Sequence, residues 1–164
     1  MGLVTGVVFA DLGHKVICMD INSEKIENLK KGIMPIYEPG LEEMTLKNIS
    51  TKNIYFTTDI KETVIKSDII FIAVDTMPKS NWDTNLDSVN KVSDQIGKYI
   101  NGYKVIVVKS TVPVGTGHKV KKIIERSMNR KTNFDVVFNP EFLREGQAIY
   151  DTLNPDRVVI GADN

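Results

Sequence analysis

A doubly wound α/β domain with a parallel sheet is the fold this sequence predicts, and three observations predict it. Short, continuous apolar runs alternate with helical patterns along nearly all of the 164 residues. The apolar runs lack the in–out alternation of a half-exposed strand, which marks parallel strands covered on both faces. No repeat, low-complexity tract or long linker interrupts them, so one domain of 1–164 with a sizeable core is expected.

The elements follow in order. Residues 3–12 read as a helix, with Gly6 and Ala10 one turn apart as small contacts and Gly13 as its stop. Val16-Ile17-Cys18-Met19 is a strand closed by Asp20. Asn22 or Ser23 caps a helix to about Lys31, which Gly32 ends. A proline-marked connection over 34–40 leads to a short helix from Leu41, and 54–57 is a strand. Asp59 with Glu62 makes a capping-box pattern for the next helix. The run 69–74 is the clearest strand, followed by a polar loop, 75–85, and an amphipathic helix on Leu86, Val89, Val92, Ile96 and Tyr99. Strand 105–108, a basic helix on Val120, Ile123, Ile124 and Met128, strand 135–138 and a last strand 157–160 complete the series.

Composition excludes several classes. The 21 basic and 21 acidic residues cancel, so no global field draws nucleic acid or an anionic membrane. No apolar run approaches the roughly 18 residues of a spanning helix. The early apolar run reaches Asp11 without a basic leader or a cleavage site. The single cysteine, Cys18, forms no internal disulfide, which makes a reducing cytoplasm the expected location. Its place in mid-strand suits an inert core thiol. His14 and His118 have no metal-ligand spacing and suit the surface.

The chemistry gathers after the strands, where ligands sit in an open α/β sheet. Directly after 136–138 comes Asn139-Pro140-Glu141-Phe142-Leu143-Arg144-Glu145-Gly146, with two carboxylates four apart around an arginine. If helical, this segment puts Glu141 and Glu145 on one face. One then suits a proton acceptor and the other a ligand to hydroxyls, against a plainer reading as acids at a positive helix end. Arg144 suits either a phosphate or a pairing glutamate. Thr76 and Thr111 stand just past two apolar strands, where small hydroxyl residues let a ligand approach, and Pro113 and Gly115 shape the second loop.

Asp20 stands 18 residues after Gly2, near the roughly 20-residue spacing of the acidic group that binds an adenosine ribose. A carboxylate there accepts from both ribose hydroxyls and repels a 2′-phosphate, which argues for NAD over NADP. The alternative is an ordinary strand-terminal turn residue. Gly2 is the only glycine of a dinucleotide turn in place, so the fold is Rossmann-like with its first strand and most of the glycine turn missing.

These stretches carry a resemblance. Gly2-Leu3-Val4-Thr5-Gly6, Tyr37-Glu38-Pro39-Gly40-Leu41, Lys109-Ser110-Thr111-Val112-Pro113-Val114-Gly115-Thr116, the segment 139–146 and Asn154-Pro155-Asp156-Arg157 resemble the NAD-binding domain of the UDP-glucose 6-dehydrogenases, within the UDP-glucose/GDP-mannose dehydrogenase family. The resemblance implies a four-electron oxidation of UDP-glucose to UDP-glucuronate with two NAD. It implies that Asp20 and Lys25 bind the adenosine ribose, and that Thr76, Thr111 and Glu145 complete the cofactor site. It places Glu141, Phe142, Leu143, Arg144 and Glu145 against the sugar nucleotide. Glu141 is then general base in hydrolysis of a thioester, with Thr111 helping to place the water. A homo-oligomer is implied for the full-length protein.

Departures from the pattern set further expectations. Asp75 stands where the family has a small residue, and Met77 where it often has proline. The nucleophilic cysteine belongs to a later domain, and the central helix and UDP-binding domain are absent. The missing strand belongs between the Val16 and Ile69 strands, so two apolar edges are expected to be left open. A poorly stable, catalytically silent chain is expected on its own. Alternative functions are a sister enzyme acting on GDP-mannose or a UDP-N-acetyl-hexosamine, and a non-catalytic nucleotide-binding remnant.

Overall fold

A computed structural model describes residues 1–78 and 83–162. The chain forms two compact units, one of Met1–Asp59 with Phe142–Arg157 and one of Ile60–Glu141 with the tail from Val158. The α/β character and the parallel strands are as expected. The strands fall in two sheets, β1-β2 and β3-β4-β5. Among the described residues β1, β2, β3 and β5 each have a strand on one side only, and β4 has one on both.

In the first unit, helix α1 (Gly2–Asp11) buries Val4, Val7 and Val8 completely. Gly13, at φ +96°, ends it. Strand β1 (Val16–Met19) pairs in parallel with β2 (Ile54–Thr57), Val16 opposite Ile54. Gly6 is required where α1 meets β1: a Cβ there would lie 2.6 Å from Cys18 Sγ. Helix α2 (Ser23–Lys30) is capped by Asn22, whose Oδ1 accepts from the Lys25 amide at 3.0 Å. Helix α3 (Leu41–Ser50) starts from Gly40 at φ +81°. The core is mainly helical, with Ile26, Leu29, Leu41 and Ala148 joining the α1 valines around Ile54 and Phe56.

In the second unit, helix α4 (Ile60–Lys66) precedes strand β3 (Ile69–Ile72). Strand β4 (Lys104–Val108) lies between β3 and β5 (Phe134–Phe138), all parallel. Helices α5 (Asp87–Tyr99) and α6 (Thr116–Ser127) pack closely. A Cβ at Gly97 would lie 2.6 Å from the Ile124 carbonyl, and Ser127 Oγ donates to Asp94 at 2.6 Å across the same pair. The core rests on strand residues Ile70, Ile72, Ile106 and Val108 under Ile96 and Ile124.

Three expectations are corrected. Strand β1 is half-buried throughout rather than covered on both faces. Residues 157–160 form no strand; only Gly161 makes an antiparallel bridge, to Phe138. The Val159 carbonyl is instead taken by the Asn139 side-chain amide at 2.9 Å. Residues 139–146 are not helical, so Glu141 and Glu145 share no helix face. Pro140 biases Asn139 away from helical angles, Gly146 sits at φ +78°, and helix α7 (Ala148–Leu153) begins only afterwards. Of the expected 75–85 loop, residues 79–82 lie outside the described ones. No helix among the described residues is long and apolar enough to cross a membrane.

Candidate functional site

The site residues of the first unit begin at the carboxyl end of β1. Asp20 Oδ1 accepts from the Asn22 amide at 3.0 Å, an Asx turn that leads into α2. Its Oδ2 accepts from Lys25 Nζ at 2.6 Å. Burial raises the Asp20 carboxyl, and the Lys25 bond, the Asn22 amide and the Lys25 charge outweigh it, leaving the acid below its ordinary value. An ionised carboxylate accepts at about four positions, and about a third of this side chain stays exposed. It therefore keeps acceptor capacity for hydroxyl groups, and Lys25 prevents an unpaired charge. Beside it lies a cleft of about 250 Å³, lined by Asn22, Lys25, Asn28, Ile33 and Met34 among others.

Gly2 opens α1, and the N-cap residue Met1 offers the first turn no side-chain acceptor. The first amides of such a helix favour an anionic group. Together with Asp20 this donor and acceptor set fits a dinucleotide's diphosphate and ribose.

Arg144 does not pair with a glutamate. Its guanidinium grips Asp151 in a fork, Nε to Oδ2 at 3.0 Å and Nη2 to Oδ1 at 2.6 Å, and its amide donates to the same carboxylate. The partner is an aspartate of α7, and the fork engages the N–H of Nε and one N–H of Nη2 on an exposed side chain, which leaves three of the five guanidinium donors open to solvent. Leu143 packs against the first unit's core, and Phe142 is exposed under the Arg157 guanidinium, 5.2 Å from the ring centre. Glu145 is exposed. Cys18 keeps part of its surface on the open strand, yet burial in apolar surroundings pushes its thiol up to about 12. It stays a neutral thiol at neutral pH.

In the second unit the structure brings Thr76 and Thr111 together. Thr76 Oγ1 donates to the Thr111 carbonyl at 3.0 Å. Ser110 Oγ donates to the Val74 carbonyl at 2.7 Å, so the loops after β3 and β4 are tied twice. Asp75 Oδ1 accepts from the Met77 amide at 3.1 Å, so the two departures from the family pattern form one closed turn. Glu141 follows β5, and sequence reading missed its charged neighbour, Lys109, at the end of β4. The Asn139 amide donates to the Val108 carbonyl at 3.0 Å, which keeps the two strand ends in step. Burial lowers the half-buried Lys109 ammonium below the usual lysine value, with the Glu141 charge opposing. The sequence offered a signal for Lys109, a lone cation ending an apolar strand.

A larger groove of about 750 Å³, bordered by Tyr103, Lys121, Glu125 and Asp135, lies at the amino ends of β4 and β5. It is away from the loops that carry Thr76, Thr111 and Glu141. Among the described residues no cluster of histidine, cysteine and acidic side chains could hold a metal ion.

Comparison with known proteins narrows the reading. The profile of the UDP-glucose/GDP-mannose dehydrogenase family, NAD binding domain, matches residues 1–164. The chain is 50% identical over 162 residues to the UDP-glucose 6-dehydrogenase TuaD of Bacillus subtilis, covering 99% of this chain and 35% of that protein. It is 48% identical over 165 positions to the UDP-glucose 6-dehydrogenase of Rhizobium meliloti, covering 99% and 37%. Among solved structures, a UDP-glucose dehydrogenase from Pyrobaculum islandicum superposes with a TM-score of 0.95 at 39% identity, over 99% of this chain and 38% of that one. A GDP-mannose dehydrogenase from Pseudomonas aeruginosa gives 0.94 at 39%, over 98% and 38%. The chain thus spans little more than a third of the length of these relatives.

Proposed function

The chain belongs to the UDP-glucose/GDP-mannose dehydrogenase family, as its NAD-binding domain, and on that premise we propose that it serves the oxidation of UDP-glucose to UDP-glucuronate. The observation that carries the proposal is Asp20, an ionised, Lys25-paired carboxylate at the end of β1 with acceptor capacity to spare. NAD, when bound, accepts hydride, and two of them are needed to take an alcohol to a carboxylate, with water supplying the second oxygen.

The residues divide the work. Asp20 accepts from the adenosine ribose hydroxyls, Lys25 orients that carboxylate and can donate to the same ribose, and Gly2 leaves room for the diphosphate at the start of α1. Thr76, Thr111 and Glu145 complete the cofactor's surroundings. The segment from Glu141 to Glu145 meets the sugar nucleotide. Arg144 stiffens the segment through its fork to Asp151 and keeps three guanidinium N–H donors for the sugar nucleotide. Glu141 takes the proton of the hydrolytic water, with the half-buried Lys109 ammonium as its charged neighbour. The thioester that this water attacks is not on Cys18, whose thiol is held neutral. Its cysteine belongs to sequence beyond these residues. Activity, a homo-oligomer and a cytoplasmic location are accordingly proposed for the longer protein rather than for 1–164 alone.

The equal 39% identity to a UDP-glucose and a GDP-mannose dehydrogenase structure favours one second reading, oxidation of GDP-mannose. A UDP-N-acetyl-hexosamine is a further candidate, and a non-catalytic nucleotide-binding remnant is the alternative outside enzymology. The test is NADH formation by the longest protein encoded in frame with this domain, given UDP-glucose, GDP-mannose and UDP-N-acetyl-mannosamine in turn. Two NADH per UDP-glucose is the expected result. Turnover of another sugar nucleotide alone would move the assignment, and turnover of none would leave the remnant.

A further inference from the structure

Glu38 has no part in the roles described so far, and its surroundings are unusual for a surface connection. It sits in Tyr37-Glu38-Pro39-Gly40, ahead of α3, and is only 7% exposed between neighbours that are largely open to solvent. A carboxylate is rarely buried to that degree without partners. Its partners lie more than a hundred residues along the chain. Oε2 accepts from the Gly146 amide at 2.9 Å, and Oε1 accepts from the Ile149 amide at 3.4 Å.

Those two amides bracket the start of α7: that of Gly146 directly follows Glu145, and that of Ile149 lies in the helix's first turn. The surrounding packing fixes the segment on one side only. Leu143 and Ile149 pack against the first unit's core and Ala148 is buried in it, while Glu145, Gly146 and Gln147 are exposed. Gly146, in the left-handed region at φ +78°, would otherwise leave its amide pointing from a flexible turn. The turn is also held by the Gln147 amide on the Arg144 carbonyl at 3.1 Å, the Asp151 amide on the Gln147 carbonyl at 2.9 Å and the Arg144 amide on the Asp151 carboxylate at 3.0 Å, none of which engages the Gly146 amide.

We propose that Glu38 is a positioning residue, whose buried carboxylate straps the Gly146 and Ile149 amides and so fixes the direction in which Glu145 faces the cofactor. This rests on the functional reading above for the role of Glu145, whereas the strap itself stands on the hydrogen bonds. The chemistry suits the task. Charge-assisted bonds to backbone amides are shorter and stronger than neutral ones, and one carboxylate supplies two acceptors in a single plane. Gln at position 38 would keep one acceptor and present an NH₂ group to the second amide. Alanine would keep neither.

The experiment uses the longest in-frame protein with Glu38→Gln, Glu38→Ala and, as a control for lost surface charge, Glu43→Gln on the exposed side of α3. Hydrogen exchange is read at Gly146 and Ile149, alongside turnover of the sugar nucleotide and affinity for ADP-ribose, which carries no nicotinamide. In Glu38→Ala both amides should exchange faster while the amides of α1 and α3 keep their protection. The kcat/KM should fall about 100-fold, the cost of a misplaced site segment, with ADP-ribose affinity within about twofold of the parent because Asp20 and Lys25 are untouched. Glu38→Gln should free one amide and recover part of the activity, and Glu43→Gln should match the parent.

Unchanged exchange at both amides in either Glu38 variant would overturn the strap. Faster exchange with unaltered turnover would overturn its service to the site. If Glu38→Ala fails to fold, Glu38→Gln decides both points. If the parent protein turns over no sugar nucleotide, the functional reading fails, and the exchange data still uphold or overturn the strap.

Discussion

The two units reach similar α/β outlines by different routes. The second is built on its sheet: β4 has a strand on each side, and Ile70, Ile72, Ile106 and Val108 form the floor on which α5 and α6 pack. The first is built on its helices, with α1, α3 and α7 enclosing a core to which β2 gives only Ile54 and Phe56 and β1 gives no fully buried residue. The lesson is that an apolar run makes a strand locally, but its burial is set by what packs on its faces: β3, with a strand on one side only, buries Ile70 and Ile72, whereas β1, also with one, stays half-buried. The residues proposed for adenosine stand on the lightly built unit, at the end of its half-buried strand.

The comparison breaks first at the strands. Truncating Ile106, fully buried in β4, should cost about 2–5 kcal/mol. Truncating Ile17 in β1 should cost about 1 kcal/mol or less, since half-buried side chains lose less on removal. Denaturant midpoints of the two alanine variants check this, and equal losses would erase the contrast between the units.

The next effect is at the close approaches. Gly97→Ala drives a Cβ into the Ile124 carbonyl and Ser127 Cβ, backbone and rigid neighbours that cannot turn aside, and should cost about 1–3 kcal/mol. Gly6→Ala clashes with the Cys18 sulfur and makes an ordinary contact with Val16 Cγ1 at 3.5 Å. Combined with Cys18→Ala it should recover most of its loss, a coupling that a double-mutant cycle on thermal stability would reveal. No recovery would mean that α1 and β1 are held by more than that contact.

The smallest effects are with pH, and they have opposite ends. Asp20 is held below its ordinary 3.8 in the folded state. Its contribution is complete above 3.8 and is lost as pH falls through the lowered folded value. At about a third exposure it amounts to less than about 1 kcal/mol. Lys109 is also lowered, but it is a base, so the unfolded chain binds the extra proton between the lowered value and 10.5. Stability should therefore rise with pH across that alkaline window. Chemical denaturation as a function of pH should show a shallower acid slope in Asp20→Asn and a shallower alkaline rise in Lys109→Met, since Asp11, Asp94 and Asp151 are also lowered, as is Lys104.

Much of this was legible beforehand, and the exceptions have physical causes. Apolar runs, Asn22 as a cap, and Gly13 and Gly32 as stops mark the elements because each works through neighbours in sequence. Asp20 was legible because the spacing of a strand–helix–strand unit is nearly fixed. Glu38 was not, since nothing local ties it to Gly146 and Ile149. The fork from Arg144 to Asp151 was missed because several acids lay within reach, and only the turn at Gly146 selects one. The expected 157–160 strand fails for a similar reason: a side chain, Asn139, takes the Val159 carbonyl that a ladder would need.

The most direct test of the account is cofactor choice at the end of β1. Affinities for NAD and NADP would be measured by titration calorimetry on the longest in-frame protein and on its Asp20→Ala variant. The account predicts NAD bound at least about tenfold more tightly than NADP, the weight of roughly 1.4 kcal/mol, with the preference lost in the variant. Equal affinities in the unaltered protein, or a preference that survives the loss of Asp20, would contradict it.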